Sequence, residues 1–299
     1  MVPERFRCGL VAIIGRPNVG KSTLVNRLVG RKVSIISRRP QTTRARIMGI
    51  RTDARAQIIY IDTPGLHVGE KNLLNRYMNR AARGSIEAVD CIVLTIEATG
   101  WTSADDYVLK TVQQQPAPVL LAINKIDKLR SRDQLLPLIQ EASTRMSFAE
   151  IVPLSALTGE NVTDLENTIV RYLPEQSAMF SEDQTSDRDQ RFMAAELVRE
   201  QIFHLLREEV PYAVGIGIER FERSHGAIHV AAVIWVEKTT QKGILIGQGG
   251  ERLKAIGTHA RREMEKLFGS KVHLKLWVKV REGWSDSEAL LRSLQYGDI

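Results

Sequence analysis

Short apolar runs separated by polar, glycine-containing turns dominate the first half of the chain. Leu10-Val11-Ala12-Ile13-Ile14, Ile58-Ile59-Tyr60-Ile61, Cys91-Ile92-Val93-Leu94-Thr95-Ile96, Val119-Leu120-Leu121-Ala122-Ile123 and Ile151-Val152-Pro153-Leu154 are rich in β-branched side chains and do not alternate. Runs of this kind read as strands buried on both faces, as in a mostly parallel sheet flanked by helices. Helix-like segments such as Thr23–Leu28 fall between them. Each run ends in a polar cluster, where open α/β sheets bind their ligands.

The pattern changes near residue 173. Pro174-Glu175-Gln176-Ser177 and the stretch Ser181–Asp189 are polar and read as a linker. Phe192, Ala195, Val198, Ile202 and Leu205 then recur at intervals of three or four, one apolar face of a helix that Pro211 ends. Two strands follow, Ala213–Glu222 and Ile228–Glu237, joined by a turn at Arg223-Ser224-His225-Gly226. After the loop Gly243–Gly250 come helices over Glu251–Ile256 and His259–Phe268, a strand over Val272–Val280 and a short helix over Asp286–Ser293. The organisation expected is an α/β domain over residues 1–174, a linker over 175–190 and an α+β module over 191–299.

Composition narrows the class. The chain has 299 residues, 43% of them hydrophobic, enough for two cores. No apolar run approaches the ~20 residues that span a bilayer, and the first eight residues carry no apolar signal stretch. Cys8 and Cys91 are too few for a disulfide framework or a zinc site. A cytoplasmic protein is expected. The net charge of +7 is concentrated: Arg223–Glu282 holds twelve Lys+Arg and five Asp+Glu, a surplus equal to that of the whole chain. Such a block suits a polyanionic partner.

The chemistry starts at the first turn. Gly15-Arg16-Pro17-Asn18-Val19-Gly20-Lys21-Ser22 fits G-x-x-x-x-G-K-[ST], with a strand before it and a helix from Thr23 after it. Backbone N–H groups of such a loop cradle phosphate. Lys21 would reach the β- and γ-phosphates, and Ser22 would bind Mg²⁺. Asp62-Thr63-Pro64-Gly65 ends the next run, with Asp62 suited to the Mg²⁺ shell and the Gly65 N–H to sensing γ-phosphate. Between them, Ser37–Arg46 is basic and holds Thr42 and Thr43; Thr43 is preferred as the threonine that completes the Mg²⁺ shell. Asn124-Lys125-Ile126-Asp127 selects the base. A carboxylate at Asp127 accepts from the guanine N1–H and 2-amino group, which adenine lacks. Buried and unpaired, it would disfavour adenine by several kcal/mol. Asn124 would bond the other base edge and order the loop, the Lys125 stem would cover the ring, and a backbone N–H of Ser155-Ala156 would meet guanine O6. Leu66 stands where some GTPases place a water-orienting glutamine, so slow intrinsic hydrolysis is expected. Asn18 matches an asparagine that helps bind K⁺ in a related group of GTPases, making K⁺ a further candidate cofactor.

In the second region, Gly247-Gln248-Gly249-Gly250 is a G-x-x-G lying between an apolar stretch and a helix inside the basic block. KH folds clamp about four unpaired nucleotides with such a loop. Ile244 and Ile246 would line the apolar groove for bases; Lys242, Arg252, Lys254, Arg261 and Arg262 would meet phosphates. Gln248 and Gly249 bring no charge between the glycines, so the flanks must supply it.

With these motifs, and with Gln41-Thr42-Thr43-Arg44, Arg191-Phe192-Met193-Ala194, Pro211-Tyr212 and Leu276-Trp277-Val278-Lys279-Val280, nearly the whole chain resembles the Era family of bacterial GTPases. The resemblance implies a P-loop GTPase domain followed by a type II KH-like domain. It further implies binding of the 3′ end of 16S ribosomal RNA during small-subunit maturation, not of DNA, slow GTP hydrolysis, and some peripheral contact with the inner face of the plasma membrane. Two other readings are a switch whose basic region binds a protein, and an RNA-modifying enzyme gated by GTP. The basic surplus argues against the first. The second needs a reactive Cys near a His, or a metal cluster, and the sequence offers neither.

Overall fold

The strand that carries the phosphate loop lies inside the sheet of the first unit. In this computed structural model, which describes residues 5–65, 73–206 and 209–296, the first unit contains β1 (Arg7–Ile14), α1 (Lys21–Val29), β2 (Ile47–Thr52), β3 (Ala56–Asp62), α2 (Leu73–Gly84), β4 (Cys91–Glu97), α3 (Ser103–Val112), β5 (Val119–Asn124), α4 (Leu135–Arg145), β6 (Glu150–Pro153) and α5 (Val162–Tyr172). The first turn of α2, through Tyr77, groups instead with the second unit, as do residues 35–42. The strand order is β2-β3-β1-β4-β5-β6, parallel except for β2.

Burial on both faces is visible residue by residue. Val11, Ile13, Cys91 and Val93 pack with α1 and α5 on one side. Ala12, Ile14, Ile92 and Leu94 pack with α3 and α4 on the other. An unbroken apolar run is the sequence consequence of that sandwich. β2 escapes the run criterion because Gly49, Arg51 and Thr52 interrupt its apolar residues; it pairs antiparallel with β3 at the sheet edge.

The polar segment after Pro174 is held along this edge. Ile50 N–H donates to Thr185 O at 3.0 Å, Cys8 N–H donates to Pro174 O at 3.1 Å, and Gly49 bridges Ser186. The buried Gln57 side chain accepts from the Met179 and Phe180 N–H groups and donates to Phe180 O. Edge strands leave backbone groups unpaired, and here the segment satisfies them. The first unit accordingly runs to residue 187.

The second unit holds α6 (Gln190–Leu205), β7 (Val214–Ser224), β8 (Ala227–Val236), α7 (Thr239–Ile246), α8 (Glu251–Phe268), β9 (Lys271–Val280) and α9 (Glu288–Ser293). Its sheet order is β7-β8-β9, with β8 and β9 parallel. Helices α6 and α8 pack on one sheet face around Val198, Ile202, Ile234, Ile256, Ala260 and Met264. Two expectations are corrected. The first helix of the pair lies before the glycine loop, not after it. The residues after the loop form one helix that runs through Gly257, because a single glycine weakens a helix by about 1 kcal/mol without ending it. α6 is buried on more than one face, and its interior includes the Glu196–Arg199 ion pair, with Arg199 Nε donating to Glu196 Oε1 at 2.8 Å. Leu205, expected on the apolar face, is exposed.

Candidate nucleotide and RNA sites

The loop between β1 and α1 depends on glycines at two contacts. Gly15 lies against the backbone of Thr95, where a Cβ would come within 2.4 Å of the carbonyl oxygen. Gly20 has φ +102°, and a Cβ there would meet Asn124 Nδ2 at 2.3 Å. Lys21 is buried and donates to Gly15 O and Arg16 O, both at 3.0 Å, so its ammonium sits inside the loop. Burial pulls its pKa down to about 8, with Asp62 raising it and Arg16 lowering it.

Ser22 Oγ and Thr43 Oγ1 are 2.8 Å apart. Beside them stands Asp62, fully buried at the end of β3. Ser34 Oγ donates to Asp62 Oδ2 at 2.6 Å, while Asp62 Oδ1 is buried without a hydrogen-bond partner among the described residues. Burial raises this carboxyl, and the nearby Ser34, Ser22, Lys21 and Thr43 groups pull it back down. Two hydroxyls and an orphaned carboxylate oxygen form an all-oxygen donor set that fits Mg²⁺. Thr42 differs: its hydroxyl closes a local turn by donating to Arg39 O at 2.9 Å. Thr63 Oγ1 donates to Ile13 O at 3.0 Å, fixing the turn through Pro64 to Gly65, where a Cβ would meet Pro17 at 2.9 Å. Leu66 lies outside the described residues.

At the base end, Asn124 is spent on ordering loops. Its Nδ2 donates to Val19 O at 2.8 Å, and its Oδ1 accepts from Lys125 N–H at 2.7 Å and Ala156 N–H at 2.9 Å. The Ser155 N–H donates to Glu160 O at 3.0 Å. A guanine O6 would therefore share the Ala156 donor rather than find it unused. Asp127 is exposed and accepts from Ser155 Oγ. The expectation of a carboxylate buried by the protein is corrected: any desolvation of Asp127 comes from the base itself. Ile126 is buried beneath this turn. Lys125 has φ +68°, and its ammonium reaches Asn18 O at 2.6 Å and Glu97 at 3.1 Å.

Sequence reasoning missed four positioning residues. Glu97, at the end of β4, also pairs with Arg16 at 3.5 Å and Lys128 at 2.9 Å, tying the phosphate loop to the base loop. Its place at a strand end was a readable signal. Asn26, inside α1, accepts from Val33 and Ser34 N–H and donates to Ser34 O; an asparagine in mid-helix was the clue. Ser34 and Arg27 carried no signal. Arg27 donates to Ala156 O at 3.2 Å and to Leu157 O at 2.5 Å.

In the second unit, Gly247, Gly249 and Gly250 all have positive φ, +73°, +59° and +84°, between α7 and the N-terminus of α8. Open space lies where Cβ atoms of Gly249 and Gly250 would stand. With Gln248 exposed between them, backbone can approach a ligand closely here. Ile244 is 42% exposed on the wall of a cavity of about 740 Å³, which Lys238 and Arg252 also line. Ile246 is placed differently from the expectation: it packs against the core. Lys254 and Arg262 are exposed, and Lys242 is half-buried. Arg261 is neutralised by Glu265, with both carboxylate oxygens at 2.8 Å. Arg252 crosses Gly247 and donates to Ile244 O at 3.0 Å, capping α7.

A phosphate loop with Mg²⁺-type donors and an Asn-Lys-x-Asp turn, on a sheet of this order, defines a P-loop GTPase domain. The glycine clamp on the second unit adds a KH domain to it. Comparison with known proteins agrees: residues 10–125 match the family model described as 50S ribosome-binding GTPase, and residues 209–285 match the KH domain. The chain is 52% identical to the GTPase Era of Coxiella burnetii (strain Dugway 5J108-111) over 97% of this chain and 98% of the relative. It is 51% identical to that of Marinobacter nauticus over 98% and 96%. Among solved structures it matches Era in complex with MgGDPNP and nucleotides 1506–1542 of 16S ribosomal RNA, with TM-score 0.95 and 41% identity over 98% of this chain and 100% of that one. A single-residue variant of Aquifex aeolicus Era bound to GDP·AlF4⁻ matches at TM-score 0.93 and 41% identity, with the same coverage. The chain belongs to the Era family of GTPases.

Proposed function

We propose that this protein hydrolyses GTP to GDP and phosphate, and that it binds the single-stranded 3′ end of 16S ribosomal RNA during maturation of the small ribosomal subunit. The nucleotide half rests on one observation above others: Ser22, Thr43 and the orphaned Asp62 oxygen converge beside the Lys21 ammonium. In this reading Mg²⁺, when bound with the nucleotide, neutralises charge on the β- and γ-phosphates. Ser22 and Thr43 bind that ion, and Asp62 holds its shell. Lys21 contacts the β- and γ-phosphates, and loop residues 15–23 cradle them. Gly65 N–H senses the γ-phosphate. Asp127 accepts from guanine, and the Lys125 stem lies over the ring. The hydroxyl contact with Ser22 favours Thr43 over Thr42. K⁺ beside Asn18, which is exposed on the loop, belongs to the same reading.

The RNA half is supported by the open backbone at Gly249 and Gly250 within the basic block, and by the related Era solved with MgGDPNP and 16S nucleotides 1506–1542. Lys242, Arg252, Lys254 and Arg262 supply phosphate contacts, and Ile244 an apolar seat for a base. Such work is cytoplasmic. Peripheral membrane contact belongs to the family resemblance; among the described residues no helix is long and apolar enough to cross a membrane. The test is Gly250→Asp, which places a carboxylate where phosphate would approach. Short single-stranded RNA should no longer bind, while GTP affinity stays that of the wild type. A variant that still binds such RNA normally removes the clamp from the account.

A further inference from the structure

The sheet of the KH unit has a second face, turned away from α6 and α8. Along β9 the residues alternate, and the set on this face, Lys271, His273, Lys275, Trp277 and Lys279, is exposed throughout. Their register partners on β8 are Ala227, His229, Ala231, Val233 and Trp235. At about 3.3 Å per residue this strip is about 26 Å long. The C-terminal turn and α9 cover part of this face: Trp284 and Leu294 lie against Gly215, Leu294 also lies against Gly217, and Val233 is buried. Trp277 is left 42% exposed, a large aromatic open to solvent on the edge strand β9.

The chemistry of the strip is uniform. His229 and His273 stack at 4.9 Å between ring centroids. The Lys279 ammonium and Arg281 guanidinium lie 5.6 and 5.8 Å from the Trp235 ring centre. Three carboxylates answer the cations: Glu219 pairs with Lys279 at 2.9 Å, Glu222 with Arg220 at 2.5 Å, and Glu265 stands near Lys271. Lys275, between His273 and Trp277, has no acidic partner among the described residues. An apolar protein partner would leave Lys275 desolvated and unpaired. A strand of unpaired nucleotides satisfies both halves at once, with bases on the aromatic faces and phosphates on the ammonium groups.

We propose that this outer sheet face is a second RNA-binding surface of the protein, separate from the glycine clamp, on which unpaired bases stack against Trp277 and His273 while Lys275 and its neighbours meet the phosphates. It rests on the RNA reading above and adds a site on the opposite side of the sheet from the clamp helices. The clamp alone holds about four nucleotides; a longer strand has further bases to place.

The experiment measures affinity for the 16S fragment 1506–1542 by fluorescence anisotropy, using the full chain. Trp277→Ala should weaken binding roughly tenfold, the loss of one stacked base. Lys275→Glu, a surface change that leaves the core alone, should weaken it too and lower the log–log salt slope by about 0.7 for one lost phosphate. Trp277→Phe should retain most of the affinity, which a merely structural tryptophan would not predict after loss of its indole packing. GTP affinity should not change in any of them. Wild-type affinity in both Trp277→Ala and Lys275→Glu overturns the surface and leaves the clamp standing. A wild-type protein that fails to bind the fragment at all overturns the RNA reading, and this surface with it.

Discussion

Arg27 sits in the last turn of α1, the helix whose first turn carries the phosphate loop, and it reaches the base loop through Ala156 O and Leu157 O. Arg27→Ala removes both donors and frees the Ser155–Leu157 turn from the helix. A hydrogen bond from a charged donor nets about 1.5–3 kcal/mol when shielded. These two lie at or near the surface, where water competes, so the pair together is expected to contribute about 1–2 kcal/mol. If that energy holds the turn in its base-binding form, affinity for GDP and for GTP should fall together, about 5- to 30-fold. The turnover rate at saturating GTP should not change, since Arg27 touches neither the Mg²⁺ donors nor the Lys21 pocket. Equilibrium titration with a fluorescent guanine nucleotide gives the first quantity, and phosphate release at saturation gives the second. Arg27→Lys should recover part of the affinity. Unchanged affinity for both nucleotides, or a fall in turnover with affinity intact, would refute the assignment of Arg27 to the base loop.

Guanine-nucleotide affinity should decline as pH rises through about 8, where the buried Lys21 loses its proton; Lys21→Arg, which stays charged, should flatten that decline, and a profile unaffected by the substitution would exclude Lys21 as its source. In the nucleotide-free protein the same lowered pKa acts oppositely on stability. Between about 8 and the ordinary 10.5 the unfolded chain holds more protons at this residue, so its contribution to stability rises with pH. Asp127→Asn should shift preference from GTP toward XTP in competition binding, because an amide can donate to the 2-oxo group of xanthine; persistent GTP preference would remove Asp127 from the base pocket. GTP hydrolysis should be faster in K⁺ than in Na⁺ at equal ionic strength, with the difference lost in Asn18→Ala; equal rates would leave an RNA or ribosomal partner as the activator.

The buried parallel strands were legible because both of their faces are covered and so nearly every residue is apolar, as in Ile58–Ile61 and Cys91–Ile96. Edge strand β2 was not, since half of its surface needs no apolar residue. The helix break expected at Gly257 failed because one glycine costs a helix only about 1 kcal/mol relative to alanine, and α8 packs into the core on both sides of it through Ile256, Ala260 and Met264. Lys21, Ser22, Asp62, Asn124 and Asp127 could be read from the sequence because loop chemistry prescribes their order and spacing. Arg27 and Ser34 could not be assigned that way. Their work is to hold backbone or side chains that are near only after folding, and any residue with the right donor or acceptor could do it. The same limit explains Ile246 and Arg261: composition placed them near the clamp, while the helix phase turned one toward the core and paired the other with Glu265.

The central claim, that one chain couples a guanine-nucleotide site to recognition of unpaired ribosomal RNA, is tested most directly by a single titration. Protein loaded with GDP or with a non-hydrolysable GTP analogue is mixed with the 16S fragment 1506–1542, and with a fully paired RNA duplex of equal length, over a series of salt concentrations. The account predicts binding of the 16S fragment that weakens steeply with salt, much weaker binding of the duplex, and an affinity that differs between the two nucleotide states. Equal affinity for fragment and duplex, the same fragment affinity in both nucleotide states, or no binding of the fragment in either state would contradict it.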